Sequence, residues 1–234
     1  MKKALVLAMA LAAVCIMPSC EKDPKPNETT TGTLNGHEWV DLGLPSGTLW
    51  ATCNVGADSP ESYGDYFAWA ETEPKTTFTW INYKYCNGAW DKLTKYCTMS
   101  KFGDNGFTDD LTELQLQDDA ARVKWGNGWL TPSKEQWTEL YKNTTHEWMT
   151  QNGVTGCLVT GSNGNCIFLP AAGQYVDAIS LDGQNASYWS SSLFTDMAGE
   201  AWLFDFNAYS DSEYSGSFGY ICGGLPVRPV CSKK

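Results

Sequence analysis

The apolar period of this chain changes twice along its length, and that limits the folds open to it. Before residue 110 the apolar runs are short and strand-like. His37 to Val40 and Thr48 to Asn54 are separated by Leu44-Pro45-Ser46-Gly47, a turn sequence, and Tyr63 to Ala70 is an apolar–aromatic run closed off by Pro74. Residues 75 to 110 hold Gly, Asn and aromatics without a period, which reads as long ordered loops. A helical pattern then covers Gln117 to Lys124, where Asp118 and Asp119 suit the positive end of the helix dipole. A second helix is expected after Thr131 as N-cap, with Pro132 at its first position and Trp137, Leu140 and Tyr141 forming one stripe. Beyond Asn143 the period returns to that of strands. Gly156–Thr160 and Asn165–Leu169 flank Asn163-Gly164 as a hairpin, Tyr188 to Ser192 starts another strand, and Trp202, Phe204 and Phe206 alternate with Leu203, Asp205 and Asn207. Val227–Val230 is a short terminal strand. No repeat of solenoid or propeller period occurs, so the order strands, two helices, strands describes one α+β domain.

Composition narrows the function. Twenty-two glycines and eleven tryptophans in 234 residues suggest tight turns around a core of indoles. Mean hydropathy is -0.34 and the one long apolar run is N-terminal, which excludes a multi-span membrane protein. The formal charge of -11 argues against a nucleic-acid-binding surface.

Met1-Lys2-Lys3, the apolar Ala4–Met17 and Pro18-Ser19-Cys20 form a secretory signal too short for a comfortable span. A small residue just before Cys20 resembles the bacterial lipobox. Cys15 follows bulky Val14 and fits less well. The plan is a signal peptide over 1–19, a flexible tether from a lipidated Cys20 over 20–35 and one domain over 36–234. Membrane attachment would come from the acyl chains alone. Glu21-Lys22-Asp23 resembles the export tag of Bacteroidota surface lipoproteins, which places the chain at the outer membrane, facing outward. Of nine cysteines, removing Cys15 and Cys20 leaves an odd number, so at least one thiol is unpaired. Cys157 and Cys166 are the first candidate disulfide, worth roughly 3 kcal/mol if formed, although the hairpin register is open. Cys86 with Cys97 is the second. No Cys-x-x-Cys occurs, against a zinc ribbon or redox motif.

Four runs carry a family resemblance: Val40-Asp41-Leu42-Gly43-Leu44-Pro45-Ser46-Gly47-Thr48-Leu49-Trp50-Ala51-Thr52, Tyr63-Gly64-Asp65-Tyr66-Phe67-Ala68-Trp69, Ile167-Phe168-Leu169-Pro170-Ala171-Ala172-Gly173 and Tyr188-Trp189-Ser190-Ser191-Ser192. With the closing Val227-Arg228-Pro229-Val230, the span 36–231 resembles the Fibrobacter-type major paralogous domain, which implies a C-type-lectin-like fold with small antiparallel sheets and long loops. Trp129-Leu130-Thr131-Pro132-Ser133 departs from that family, where an Arg follows the Trp, so any ion pair of that Arg is lost. The resemblance extends to variable receptors diversified by retroelements and implies ligand binding on a variable C-terminal face. Randomised adenines in Asn codons cannot yield Met, Trp, Glu, Gln or Lys. From Ala208 to Gly224 only Glu213 breaks that set, and Met197 and Glu200 must be fixed positions.

If Trp202, Phe204 and Phe206 face the core, then Leu203, Asp205 and Asn207 face outward. With Phe194, Tyr209, Asp211, Tyr214, Phe218, Tyr220 and Ile221 they form the expected binding surface, Tyr among Ser and Gly as in antibody paratopes. The ligand would be a protein or a glycan. Catalytic signals are few. His37 and His146 stand in unrelated contexts, no Gly-x-Ser-x-Gly elbow or phosphate loop occurs, and Asp118-Asp119 reads as a solvated helix start. Asp104-Asn105-Gly106 with Asp109 offers oxygens for calcium but lacks the EF-hand spacing, so no cofactor is expected. The sequence points to a surface-anchored, non-enzymatic binding protein. Its alternatives are an oxidase of the formylglycine-generating type, where Cys222 would need a partner thiol, and a structural subunit of a surface assembly.

Overall fold

The computed structural model describes residues 30–175, 179–180, 182–207 and 216–233. The export segment, Cys20, Tyr209, Asp211 and Tyr214 lie outside the described residues. Among those described, two α-helices and fourteen strands form four antiparallel sheets, an α+β arrangement.

The first sheet joins both ends of the domain. β1 (Thr31–Leu34) turns through Asn35-Gly36, both at positive φ, into β2 (His37–Asp41). Asn-Gly suits such a tight hairpin because both positions tolerate the left-handed region. β1 lies inside the stretch expected to be tether, so Thr31–Leu34 is strand and part of the first sheet instead. Its apolar content is low, but Thr31 pairs with Val40 and Leu34 with His37 through backbone hydrogen bonds that alternation does not reveal. β3 (Thr48–Ala51) follows, and β14 (Val230–Ser232) pairs against it, Val230 opposite Trp50. Residues 71–110 then form long loops with three short 3-10 turns, as expected from their missing period. Of Tyr63–Ala70 only β4 (Phe67–Ala68) is strand.

α1 spans Ala120–Trp125 and α2 spans Lys134–Asn143. The expected cap of α2 moves two residues: Ser133 is the N-cap, with Gln136 completing a capping box. Thr131 instead gives its N–H and hydroxyl to Asp119, which also caps α1 through the amides of Ala121 and Arg122. Asp118 and Asp119 are therefore buried, not a solvated helix start. Asp118 accepts from Lys95 at 2.5 Å, from the Tyr96 hydroxyl at 2.8 Å and from the Tyr85 hydroxyl.

β5 (Thr144–Gln151), β6 (Val154–Gly161) and β7 (Cys166–Pro170) form a meander. Its register sets Thr160 opposite Cys166 and Leu169 opposite Cys157, so Cys157 and Cys166 do not bridge. Cys86 and Cys97 do not bridge either. Each thiol is buried and donates to a main-chain carbonyl, Cys86 to Trp80 at 3.0 Å and Cys97 to Met99 at 3.3 Å.

β8 (Gln174–Tyr175) and β9 (Ile179–Ser180) belong to a small sheet with β4 and β13 (Gly224–Leu225). β10 (Asn185–Leu193), β11 (Glu200–Asn207) and β12 (Gly216–Tyr220) form the last sheet. This sheet divides the core. Phe204 and Phe206 pack with Trp137, Tyr188 and Trp50 on the α2 side, while Leu203 joins Trp189, Trp69, Trp129 and Ile221 in the other cluster. Both faces of the centre of β11 are covered, and that overturns the outward placement of Leu203.

Arg228 is 0% exposed and its side chain fastens the C-terminal run to the first sheet and the meander. It donates to Asn54 Oδ1 (2.8 Å) and to the carbonyls of Ala51 (3.1 Å), Thr52 (2.6 Å) and Phe168 (3.0 Å).

Candidate binding face

The expected surface separates into three parts. Leu203 and Ile221 are core residues and cannot meet a ligand; burying each contributes about 1.5–3 kcal/mol to the fold instead. Asp205 is half-buried opposite Ser187, whose hydroxyl hydrogen-bonds to it; burial raises its carboxyl above the usual range and the Ser187 contact opposes that. Asn207 is half-buried at the strand end opposite Asn185, and Phe194 stands edge-on to Trp202 at 5.0 Å. Trp202 itself is half-buried, with the Lys134 Nζ 3.4 Å from the centre of its ring. Phe218 pairs with Trp202 along the backbone, and its side chain lies outside what is described. Among the described residues of the expected set, Tyr220 alone is open to solvent, at 63% exposure.

Tyr220 leads to a groove that the sequence did not disclose. Its ring meets Trp80 at 6.1 Å in an edge-on contact. Trp90, Met99, Phe102 and the turn residues Asp196–Ala198 complete a groove of about 600 Å³. Trp90 and Met197 are 51% and 50% exposed, and Trp90 leans on Phe102 at 5.2 Å. Lys101 stands at the rim, 4.5 Å from the centre of the Phe102 ring. The turn fits closely there: a Cβ on Gly199, at φ +79°, would stand 3.0 Å from the Trp80 ring. Three large apolar side chains are thus held half out of water on a frame of packed aromatics. Scattered apolar residues are ordinary on a surface, whereas a contiguous set makes this groove a candidate for binding.

The histidines and the acidic loop make contacts within the fold. His37 stacks on Trp125 at 3.8 Å and His146 on Tyr141 at 4.7 Å, and burial lowers both imidazoles. Asp109 accepts from the amides of Tyr96 and Cys97, and Asp104 accepts from the side-chain amides of Asn87 and Asn105. Among the described residues no set of three or more His, Cys, Asp or Glu side chains gathers to hold a metal. The Leu130 backbone bridges to Val230 and its side chain is exposed. Among the described residues no helix is long and apolar enough to cross a membrane.

No protein-family model, curated protein or solved structure matches the chain.

Proposed function

We propose that this chain is a lipid-anchored, surface-displayed binding protein of the C-type-lectin-like class, and that it takes a protein or glycan ligand in the groove of Trp80, Trp90, Met197 and Tyr220. The observation carrying this reading is that groove: exposed aromatics on a rigid base supply contact area at little entropic cost. The lectin-like assignment is supported by the pairing of β14 with β3, which brings the last strand of the domain into the same sheet as its first three, and by the long ordered loops between β4 and α1. The lipobox-like Ser19-Cys20 supports the anchor, and a flexible tether would let many copies engage one surface at once.

The oxidase alternative receives less support. It requires reactive thiolates, yet burial pushes the Cys222 thiol up to about 12 and raises its neighbour Cys86, so both are protonated near neutral pH.

The test is binding of the full chain to bacterial and host cell surfaces, to glycan arrays and to immobilised surface proteins. Trp90→Ser with Met197→Ser should weaken whichever interaction is found by about tenfold or more, since exposed aromatic anchors carry most of an interface's energy. Undiminished binding by the double variant would remove the groove as the site.

A further inference from the structure

Tyr220 also borders a second cavity, of about 430 Å³, within the ~300–1,000 Å³ span of small-ligand sites. Its walls include Tyr175, Trp189 and Leu203, and Glu200 lines it as well. The backbone of β12 closes one side: a Cβ on Gly219 would stand 2.8 Å from Leu203 Cδ2 and 3.7 Å from Trp189 Cη2.

Glu200 is the anomaly. It opens β11 directly opposite Tyr220, the residue is 6% exposed, and its Oε2 has no hydrogen-bond partner. It takes part in none of the ion pairs formed among the described residues. Burial alone raises its carboxyl above the usual range. A buried acceptor without a donor is costly, and more so when charged. Such a group persists where something else supplies the donor.

We propose that this cavity binds a primary alkylammonium group, the chemistry of a lysyl side chain, with the Glu200 carboxylate accepting its N–H donors and Trp189 and Leu203 covering its stem. An anion is disfavoured by the carboxylate and by the chain's charge of -11, which attracts cations at long range. A metal ion would need further ligands, and among the described residues no such set gathers. Tyr and Trp walls suit an organic cation, whose charge is drawn to aromatic faces. This inference rests on reading this end of the molecule as a binding face, but it requires the cavity and not the Trp90 groove.

The experiment titrates the full chain with n-butylammonium chloride, and with n-butanol as the neutral isostere, by calorimetry and by the NMR signal of the Trp189 indole N–H. The expected result is saturable ammonium binding at least about tenfold tighter than butanol, with the Trp189 signal shifting. Glu200→Gln should lose about tenfold or more of the ammonium affinity and keep that for butanol. Absence of saturable ammonium binding to the wild-type chain would overturn the proposal, as would equal affinity in a Glu200→Gln variant with native circular dichroism. Should that variant fail to fold, the wild-type preference for ammonium over butanol and the Trp189 shift decide the matter. The Trp90→Ser, Met197→Ser variant separates the two readings: it should bind butylammonium normally even where it has lost the cell-surface ligand.

Discussion

Arg228 donates its Nε hydrogen to Asn54 Oδ1 at 2.8 Å across 174 positions of chain. Asn54 is itself buried and donates to the Tyr63 carbonyl at 2.9 Å, so one guanidinium and one amide tie the C-terminal run to the first sheet and to the loop before β4. The other guanidinium hydrogens go to the carbonyls of Ala51, Thr52 and Phe168. A lysine offers a compact point charge, not a planar fork, and cannot reach all four acceptors. Arg228→Lys should therefore destabilise the fold by about 3 kcal/mol or more, and Asn54→Ala by about 1–3 kcal/mol, in urea unfolding. The two losses should be less than additive in a double-mutant cycle, because each removes the same bond. Full additivity would show that the pair does not act as one unit.

Asp118 makes the fold sensitive to acid. Burial alone would raise its carboxyl, but Lys95 and the hydroxyls of Tyr85 and Tyr96 outweigh that and hold it below the usual 3.8. A carboxylate with a lowered folded-state pKa contributes stability that is complete above the unfolded-state value and disappears as pH falls through the folded-state value. Asp118→Asn should thus cost stability at pH 7, and the gap to wild type should close as the pH is lowered below about 4. Urea unfolding at several pH values checks this; a gap that stays constant with pH would assign the loss to packing alone.

The buried thiols should be chemically silent. Burial pushes Cys157 to about 12, Cys222 to about 12 and Cys231 to about 11, and raises Cys86 and Cys97. Iodoacetamide at pH 8 should leave all five unmodified in the folded chain and label them in denaturant, read by peptide mass spectrometry. Labelling of Cys222 under native conditions would restore the oxidase alternative.

Several elements could be read from residue order because a local physical rule determines each. Asn163-Gly164 between apolar runs forms the β6–β7 turn, and Trp137 and Leu140 at helical spacing form the buried stripe of α2. What failed did so where tertiary context decides. Alternation along β11 distinguishes two faces but not whether both are covered, and Leu203 became core because Trp189 lies opposite it and Ile221 packs in the same cluster. The groove proposed for binding draws Trp80, Trp90, Met99 and Phe102 from a stretch without a period, where nothing in the order of residues tells an exposed aromatic from a buried one. A cue did exist for the first strand, the Asn35-Gly36 pair, which marks a hairpin as clearly as Asn163-Gly164 does. Glu200 likewise stood out as a residue that adenine randomisation cannot produce, although only the fold reveals its missing partner.

Glu200 should act on stability in the sense opposite to Asp118. Its folded-state carboxyl is raised by burial, so just above the unfolded-state value the native state holds more proton than the unfolded chain. Stability contributed in this way is present below the unfolded-state pKa of about 4.5 and is lost as pH rises through the folded-state value. Glu200→Gln keeps the shape and removes the charge that burial opposes. The variant should be at least as stable as wild type at pH 7, with its advantage shrinking toward pH 4 as the wild-type carboxyl protonates. Thermal midpoints measured across that range, without added amine, test the sign. A variant less stable than wild type at pH 7 would mean that the Glu200 carboxylate is already satisfied by a group inside the protein.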